Sequence, residues 1–97
     1  MDNKKYLDKV LGSLVRGTKM DYENEALIFP FPLLPLSTDH LNSYPYFRFS
    51  ILFPPSTFPL SSFSKYCKNT FGLTYKEIDY VFKQYKNIIK NKIDSGE

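Results

Sequence analysis

A proline-rich and aromatic stretch spans residues 29–64 and limits the regular structure that this chain can form. It contains all seven prolines of the 97-residue sequence but only two charged side chains, Asp39 and Arg48. Five of the prolines directly follow a phenylalanine or a tyrosine: Pro30, Pro32, Pro45, Pro54 and Pro59. Because proline lacks a backbone donor and pushes the preceding residue toward extended conformations, residues 30–60 are incompatible with regular helix or a central strand. We expect a long extended arm here, in which only residues 46–53 are a run long enough for a strand.

An amphipathic helix is predicted before this stretch, over residues 3–16. Its apolar side chains recur at helical spacing on one face: Tyr6, Leu7, Val10, Leu11, Leu14 and Val15. Asp2 is the candidate N-cap and Gly17 the candidate residue just after the helix. Gly12, inside the helix, costs about 1 kcal/mol relative to alanine, and we expect it to admit a neighbouring backbone.

Residues 18–29 have a different pattern, with two short apolar runs on either side of Glu23-Asn24-Glu25. This pattern predicts a small β-hairpin with Asn24 at its tight point. A helix over residues 22–27 is the competing prediction. An isolated hairpin is only marginally stable, so it is expected to pack on a helix or on a partner.

The strongest local signal lies after the stretch, in Thr74-Tyr75-Lys76-Glu77. This is a capping box, and Leu73 and Ile78 stand at the positions of a hydrophobic staple. The helix that it begins is predicted to run to about residue 94. A short helix over residues 63–70 is predicted to precede it, with Ser61 or Ser62 as its cap and Gly72 at its end.

These patterns predict a mainly α fold in a single small domain over residues 1–97. The N-terminal helix and the possible small β-hairpin occupy residues 1–29, the extended Pro/aromatic arm residues 30–61, and a helical hairpin residues 62–97. The single cysteine excludes an intrachain disulfide, and the N-terminus lacks the apolar segment of a signal peptide. Prolines interrupt the longest uncharged run, so no membrane span is expected. We expect an intracellular or virion-associated protein.

The sequence offers little support for catalysis. Asp39 and the only histidine, His40, are better explained as part of a polar turn than as catalytic residues. Cys67 lies between Lys65 and Lys68, which would lower its pKa and make it reactive, but a buried structural thiol is the commoner case. The four glycines are too scattered for a phosphate-binding loop. We therefore expect a protein that is not an enzyme and that uses no cofactor, metal ion or small-molecule substrate.

The apolar load of the arm leads to the main functional hypothesis. Two amphipathic helices and a short one are too few to cover more than a dozen large apolar side chains, each worth roughly 1.5–3 kcal/mol of burial. The arm is therefore expected to bind protein, either a second copy or a larger complex. The predicted contact residues are Phe29, Phe31, Leu33, Tyr44, Tyr46, Phe47, Phe49, Phe53 and Phe58. The hypothesis is a structural or interaction subunit of a larger assembly.

Composition suggests a setting for such a subunit. Phe, Tyr, Lys, Asn and Ile, which AT-rich codons encode, make up 40 of the 97 residues. This bias favours a virus or phage particle, or an accessory component of a large complex.

A small nucleic-acid-binding regulator is the alternative hypothesis. Residues 65–97 hold seven lysines against four carboxylates, and this excess accounts for the whole net charge of +3. The candidate contacts on the last helix are Lys83, Lys86, Lys90 and Lys92, although a solvated helix face is the simpler interpretation. The two C-terminal helices also resemble a helix-turn-helix, but Glu77 and Asp79 would face phosphate. A small inhibitor or adaptor is a weaker third hypothesis.

Overall fold

The computed structural model of this chain describes residues 3–31, 33 and 48–96. Within this part, three helices account for most residues: α1 (Lys4–Gly17), α2 (Leu60–Phe71) and α3 (Tyr75–Ser95). A small antiparallel sheet has the order β1 (Lys19–Asp21), β2 (Ala26–Ile28) and β3 (Arg48–Ser50). A short 3-10 helix, Pro55–Thr57, lies between β3 and α2. The predicted mainly α class is confirmed, while Pro32 and residues 34–47 of the predicted arm lie outside the described residues.

Helix α1 buries the predicted apolar face through Leu7, Val10 and Leu14. Asn3 precedes its first turn, and the predicted cap, Asp2, lies outside the described residues. The close approach expected at Gly12 occurs instead at Gly17. A Cβ added at Gly17 would lie 2.7 Å from Cβ of Pro30, whereas one at Gly12 would meet only the end of the flexible Arg16 side chain. Gly17 therefore lets the start of the proline-rich stretch lie directly against the end of α1.

The predicted hairpin is confirmed, and it gains a third strand. Met20 pairs with Leu27 between β1 and β2, and Leu27 also faces Phe49 between β2 and β3. The connecting turn is stabilised by Asn24, whose backbone N–H and side-chain amide donate to the Asp21 carboxylate at 3.2 and 2.8 Å. The residue with positive φ is Glu25, at 52°, rather than Asn24. Strand β3 falls inside residues 46–53, the run that the sequence marked as long enough for a strand.

Helices α2 and α3 form the predicted helical hairpin. The capping box is present: Glu77 N–H donates to Thr74 Oγ1 at 3.3 Å, and Thr74 N–H donates to Glu77 Oε1 at 2.8 Å. Gly72 ends α2 in the left-handed conformation, with φ of 68°. Helix α2 begins at Leu60, three residues earlier than predicted, and Phe63 N–H donates to the Pro59 carbonyl at 3.0 Å.

The core shared by these elements is aromatic. Phe29 stacks on Phe31 with ring centroids 4.9 Å apart, and Phe58 meets the Phe29 ring edge-on at 5.5 Å. Phe63 contacts Phe31 and Tyr85 at 5.6 and 5.3 Å. Phe29, Phe31 and Phe58 are at most 5% exposed. The fold therefore covers these three rings of the arm, contrary to the expectation that the helices are too few to do so.

One polar pair lies inside this core. Thr18 Oγ1 donates to the Leu14 carbonyl at 2.8 Å and shares a 2.5 Å hydrogen bond with the Tyr85 hydroxyl. Because Thr18 uses its proton on Leu14, the Tyr85 hydroxyl is the donor to Thr18. Burial raises the pKa of Tyr85 well above its ordinary value, so this hydroxyl keeps its proton. The pair joins the end of α1 to the middle of α3.

Candidate functional site

The segment between β3 and α2 exposes two large apolar side chains next to each other. Leu52 is 69% exposed and Phe53 is 52% exposed. With Ile51, Pro54 and Pro55 they face the end of α3, and the groove between them has a volume of about 250 Å³. Its α3 side is formed by Lys90, Ile93 and Asp94. We call these eight residues the Phe53 surface.

Hydrogen bonds fix the backbone of the Phe53 surface on both sides. At its first residues, Ile51 N–H donates to the Glu25 carbonyl at 3.0 Å, and Leu52 N–H donates to Ser50 Oγ at 3.2 Å. After it, the Thr57 hydroxyl and the Thr57 N–H both donate to the Pro54 carbonyl, at 2.6 and 2.9 Å. The Phe53 ring also meets the Phe49 ring edge-on at 5.3 Å. The exposed side chains are therefore presented on an ordered turn.

The predicted contact residues of the arm divide by burial. Phe29, Phe31 and Phe58 lie in the core, while Leu33 and Phe49 are half-buried against it. Phe53 alone among the described members is largely exposed. Tyr44, Tyr46 and Phe47 lie outside the described residues, as do Asp39 and His40. Alternating aromatic and proline residues marked the segment, but nothing local in the sequence separates the buried rings from the exposed one.

Three of the four candidate lysines of α3 contact side chains of their own helix. Lys83 forms an ion pair with Asp79 at 3.3 Å, and Lys90 forms one with Asp94 at 3.0 Å. The Lys86 ammonium lies 4.7 Å from the centroid of the Phe82 ring. Lys92 is half-buried, and its backbone carbonyl accepts from the Tyr22 hydroxyl at 3.1 Å. The paired aspartates reduce the positive potential of this face, and nucleic-acid binding through it stays a prediction.

Cys67 lies on the inner face of α2 and is fully buried. Burial raises its pKa from the ordinary value of 9.0 to about 12, so the thiol stays protonated at neutral pH. The neighbouring lysines do not make it a thiolate, and the structural interpretation of this cysteine is supported. Among the described residues, no three His, Cys, Asp or Glu side chains gather where they could hold a metal ion.

A second groove lies between α1 and the start of α3. It is lined by Lys4, Leu7, Lys76, Glu77 and Tyr80, with a volume of about 340 Å³. Glu77 accepts from Thr74 N–H and from the Asn3 side chain, and these two bonds lower the pKa of its carboxyl. The first turn of α3 is thus joined to the start of α1. This arrangement leaves it poorly placed to enter a DNA groove as a recognition helix.

A third groove, which the sequence analysis missed, lies where α2 meets the start of α3. Six side chains of α2 and Tyr75 line it, and its volume is about 560 Å³. Lys68 Nζ lies 3.2 Å from the Tyr75 hydroxyl and 4.6 Å from the centroid of that ring. We call it the α2–α3 groove. The signal that could have found it is the lack of any Asp or Glu between Asp39 and Glu77.

Comparisons with known proteins do not assign this chain to a family: no family model, no curated protein and no solved structure matches it. Within the part of the chain that the structure describes, none of the helices is both long and apolar enough to cross a membrane.

Proposed function

We propose that this protein is a non-enzymatic interaction subunit of a larger assembly, and that it binds a protein partner through the Phe53 surface. The observation that carries the proposal is the exposure of Leu52 and Phe53 side by side on an ordered turn. Scattered single apolar residues on a surface are ordinary, but adjacent ones on a fixed backbone are typical of contact sites. Burying each of them in an interface is worth roughly 1.5–3 kcal/mol.

The arrangement around these two residues also suits an interface. The Lys90–Asp94 ion pair lies at the edge of the groove, so an apolar centre is bordered by charged groups, as in many protein interfaces. The ordered turn lowers the entropy that a partner must overcome on binding. From the sequence alone, Tyr44, Tyr46 and Phe47 are predicted to extend the contact. The buried Phe29, Phe31 and Phe58 act in this proposal as the support of the surface.

The setting proposed for this subunit rests on composition. The abundance of residues with AT-rich codons favours a virus or phage particle, or an accessory component of a large complex. A multi-subunit particle recovered with the protein supports this setting. Recovery of a single enzyme would instead indicate an inhibitor or adaptor.

The test compares partner capture by the wild-type chain and by the double variant Leu52→Ser/Phe53→Ser. We expect the variant to lose its partner, with affinity reduced at least about 30-fold, the loss typical of a binding hot spot. Leu60→Ser is the matched control, because Leu60 is 51% exposed but lies on another surface. Partner binding that is unchanged in the double variant would exclude this surface. A wild-type chain that remains a monomer and captures no protein would overturn the proposed function.

A further inference from the structure

The charge distribution of the chain changes sharply along its length. No Asp or Glu occurs between Asp39 and Glu77, and helix α2 carries only lysines as charged residues. Lys65 and Lys68 are both exposed, and neither of them forms an ion pair with any of the described carboxylates. None of the described residues that line the α2–α3 groove carries a carboxylate. As far as the described residues show, the groove is therefore positively charged without a counterion of its own.

The side chains of the groove are arranged in two neighbouring rows on α2. Ser61, Lys65 and Asn69 follow each other at intervals of four residues, and Ser64 and Lys68 form the adjacent row. Residues four apart lie on the same face of a helix, so the hydroxyls, the amide and both ammonium groups lie along one side of α2. Hydroxyl, amide and ammonium groups all donate hydrogen bonds to phosphate oxygens.

An aromatic ring borders this donor surface. Tyr75 begins α3 and is 69% exposed, among the highest values for a large apolar side chain in the described part of the chain. The capping box of Thr74 fixes the backbone next to Tyr75, and the Lys68 ammonium contacts one face of the Tyr75 ring. An exposed ring beside lysines is the combination on which single-stranded nucleic acids stack their bases.

We propose that the α2–α3 groove binds the backbone of single-stranded DNA or RNA through Lys65 and Lys68, with a base stacked on Tyr75. A duplex keeps its bases stacked on each other, so it would not use the ring. An acidic peptide such as polyglutamate could pair with the lysines, but it has no aromatic ring to stack on Tyr75. The proposal is independent of protein binding by the Phe53 surface, which lies elsewhere on the molecule.

Two lysines of α3 can serve as a matched control for the two lysines of α2, because they differ in their ion pairs. Lys83 and Lys90 are as exposed as surface lysines usually are, but each already has an aspartate partner one turn away. Replacing Lys65 and Lys68, or Lys83 and Lys90, by glutamine changes the net charge equally. General attraction to a basic protein predicts the same loss in both pairs, whereas a site in the groove predicts a loss only in the first.

The experiment measures binding of short fluorescein-labelled oligothymidylate and oligouridylate to the full chain by anisotropy, over a range of salt. We expect Lys65→Gln/Lys68→Gln to weaken binding by about tenfold at low salt and to reduce the slope of log K against log salt by about 1.4. Lys83→Gln/Lys90→Gln should change affinity less than about twofold. Tyr75→Ala should cost about fivefold or more, while Tyr75→Phe, which keeps the ring, should bind like wild type.

Four results would overturn the proposal. The first is no measurable binding of the wild-type chain to either oligonucleotide at low salt. The second is an equal loss in the two lysine pairs, and the third is wild-type affinity in Tyr75→Ala. The fourth is binding of a polyglutamate peptide as tight as that of the oligonucleotides, which would identify an acidic protein segment as the ligand. All substituted side chains are exposed or half-buried, and circular dichroism checks that each variant is folded.

Discussion

Phe53 and Phe58 both belong to a Phe-Pro dipeptide, but they lie in opposite environments. Each is a phenylalanine followed by proline, and only five positions separate them. Phe53 is 52% exposed, whereas Phe58 is 5% exposed and contacts the rings of Phe29 and Phe49. The 3-10 helix between them turns the chain inward before α2 begins. The difference shows that the aromatic-proline stretch contributes both to the core and to the surface. The path of its backbone determines which of its rings are buried.

The most direct test of this contrast is to truncate both rings. Phe58→Ala should lower the free energy of unfolding by about 3–5 kcal/mol, because it leaves a cavity among packed rings. Phe53→Ala should lower it by no more than about 0.5 kcal/mol. Urea denaturation measures both, and Phe58→Leu should fall between them if Phe58→Ala does not fold. Similar losses in the two alanine variants would contradict the assignment of one ring to the interior and the other to the surface.

The proline-rich stretch begins to pack against the core where Pro30 contacts Gly17. A methyl group added at Gly17 should disturb this packing. Gly17→Ala places a Cβ 2.7 Å from the Pro30 ring, so we expect a loss of about 1–3 kcal/mol. Gly12→Ala is the control on the same helix, because it meets only the Arg16 side chain. It should be neutral or stabilising by up to about 1 kcal/mol. Thermal melting should show a lower Tm for Gly17→Ala and an unchanged or higher Tm for Gly12→Ala, and equal decreases would argue against the contact.

The polar pair beneath the buried rings offers a finer test of the interior. Thr18→Val leaves the buried Tyr85 hydroxyl without its acceptor and should cost about 1–3 kcal/mol. Tyr85→Phe removes the donor instead, while Thr18 keeps its bond to Leu14, so the cost should be about 1 kcal/mol. The order of the two losses in urea melts is the readout. A larger decrease in the free energy of unfolding for Tyr85→Phe than for Thr18→Val would contradict the assignment of Tyr85 as donor and Thr18 as acceptor.

The smallest expected effect concerns pH and the thiol of Cys67. The unfolded chain releases this proton near pH 9.0, while the folded chain keeps it to about pH 12. Above pH 9.0 the unfolded chain therefore loses this proton while the folded chain keeps it, and this difference stabilises the unfolded state. The free energy of unfolding should fall by about 1 kcal/mol between pH 9 and 10. Cys67→Ala should decline less steeply over that interval, whatever its stability at neutral pH. Identical slopes would show that the thiol titrates normally in the folded protein.

The sequence predicted the features that depend on neighbouring residues. The Thr74–Glu77 capping box, the left-handed Gly72 and the hairpin around Asn24 each follow from side chains within a few positions. What it missed depends on distant contacts. The pairing of β3 with β2 joins residues twenty or more positions apart, and Phe58 is buried against Phe29 and Tyr85, which are farther away still along the chain. A count of apolar residues does not reveal which of them a fold covers.

The functional surfaces were predictable to different degrees. The aromatic stretch directed attention to Phe53 but also to rings that proved to be buried. The lysines of α3 drew attention by number, although Asp79 and Asp94 pair with two of them one helical turn away. The α2–α3 groove required both helices to be in place, because Tyr75 and Lys68 meet only across the turn at Gly72.

The contact between Gly17 and Pro30 also bears on how distant relatives of this chain could be recognised. Only glycine fits at position 17 while Pro30 stays in place, and the hydrogen bond between Thr18 and Tyr85 joins the end of α1 to α3. A relative that keeps this fold should retain the small residue, the proline thirteen positions later and the hydroxyl pair, even where overall identity has fallen too low to detect. These few positions form a fingerprint that a search by average similarity does not weigh, since the variable surface residues outnumber them.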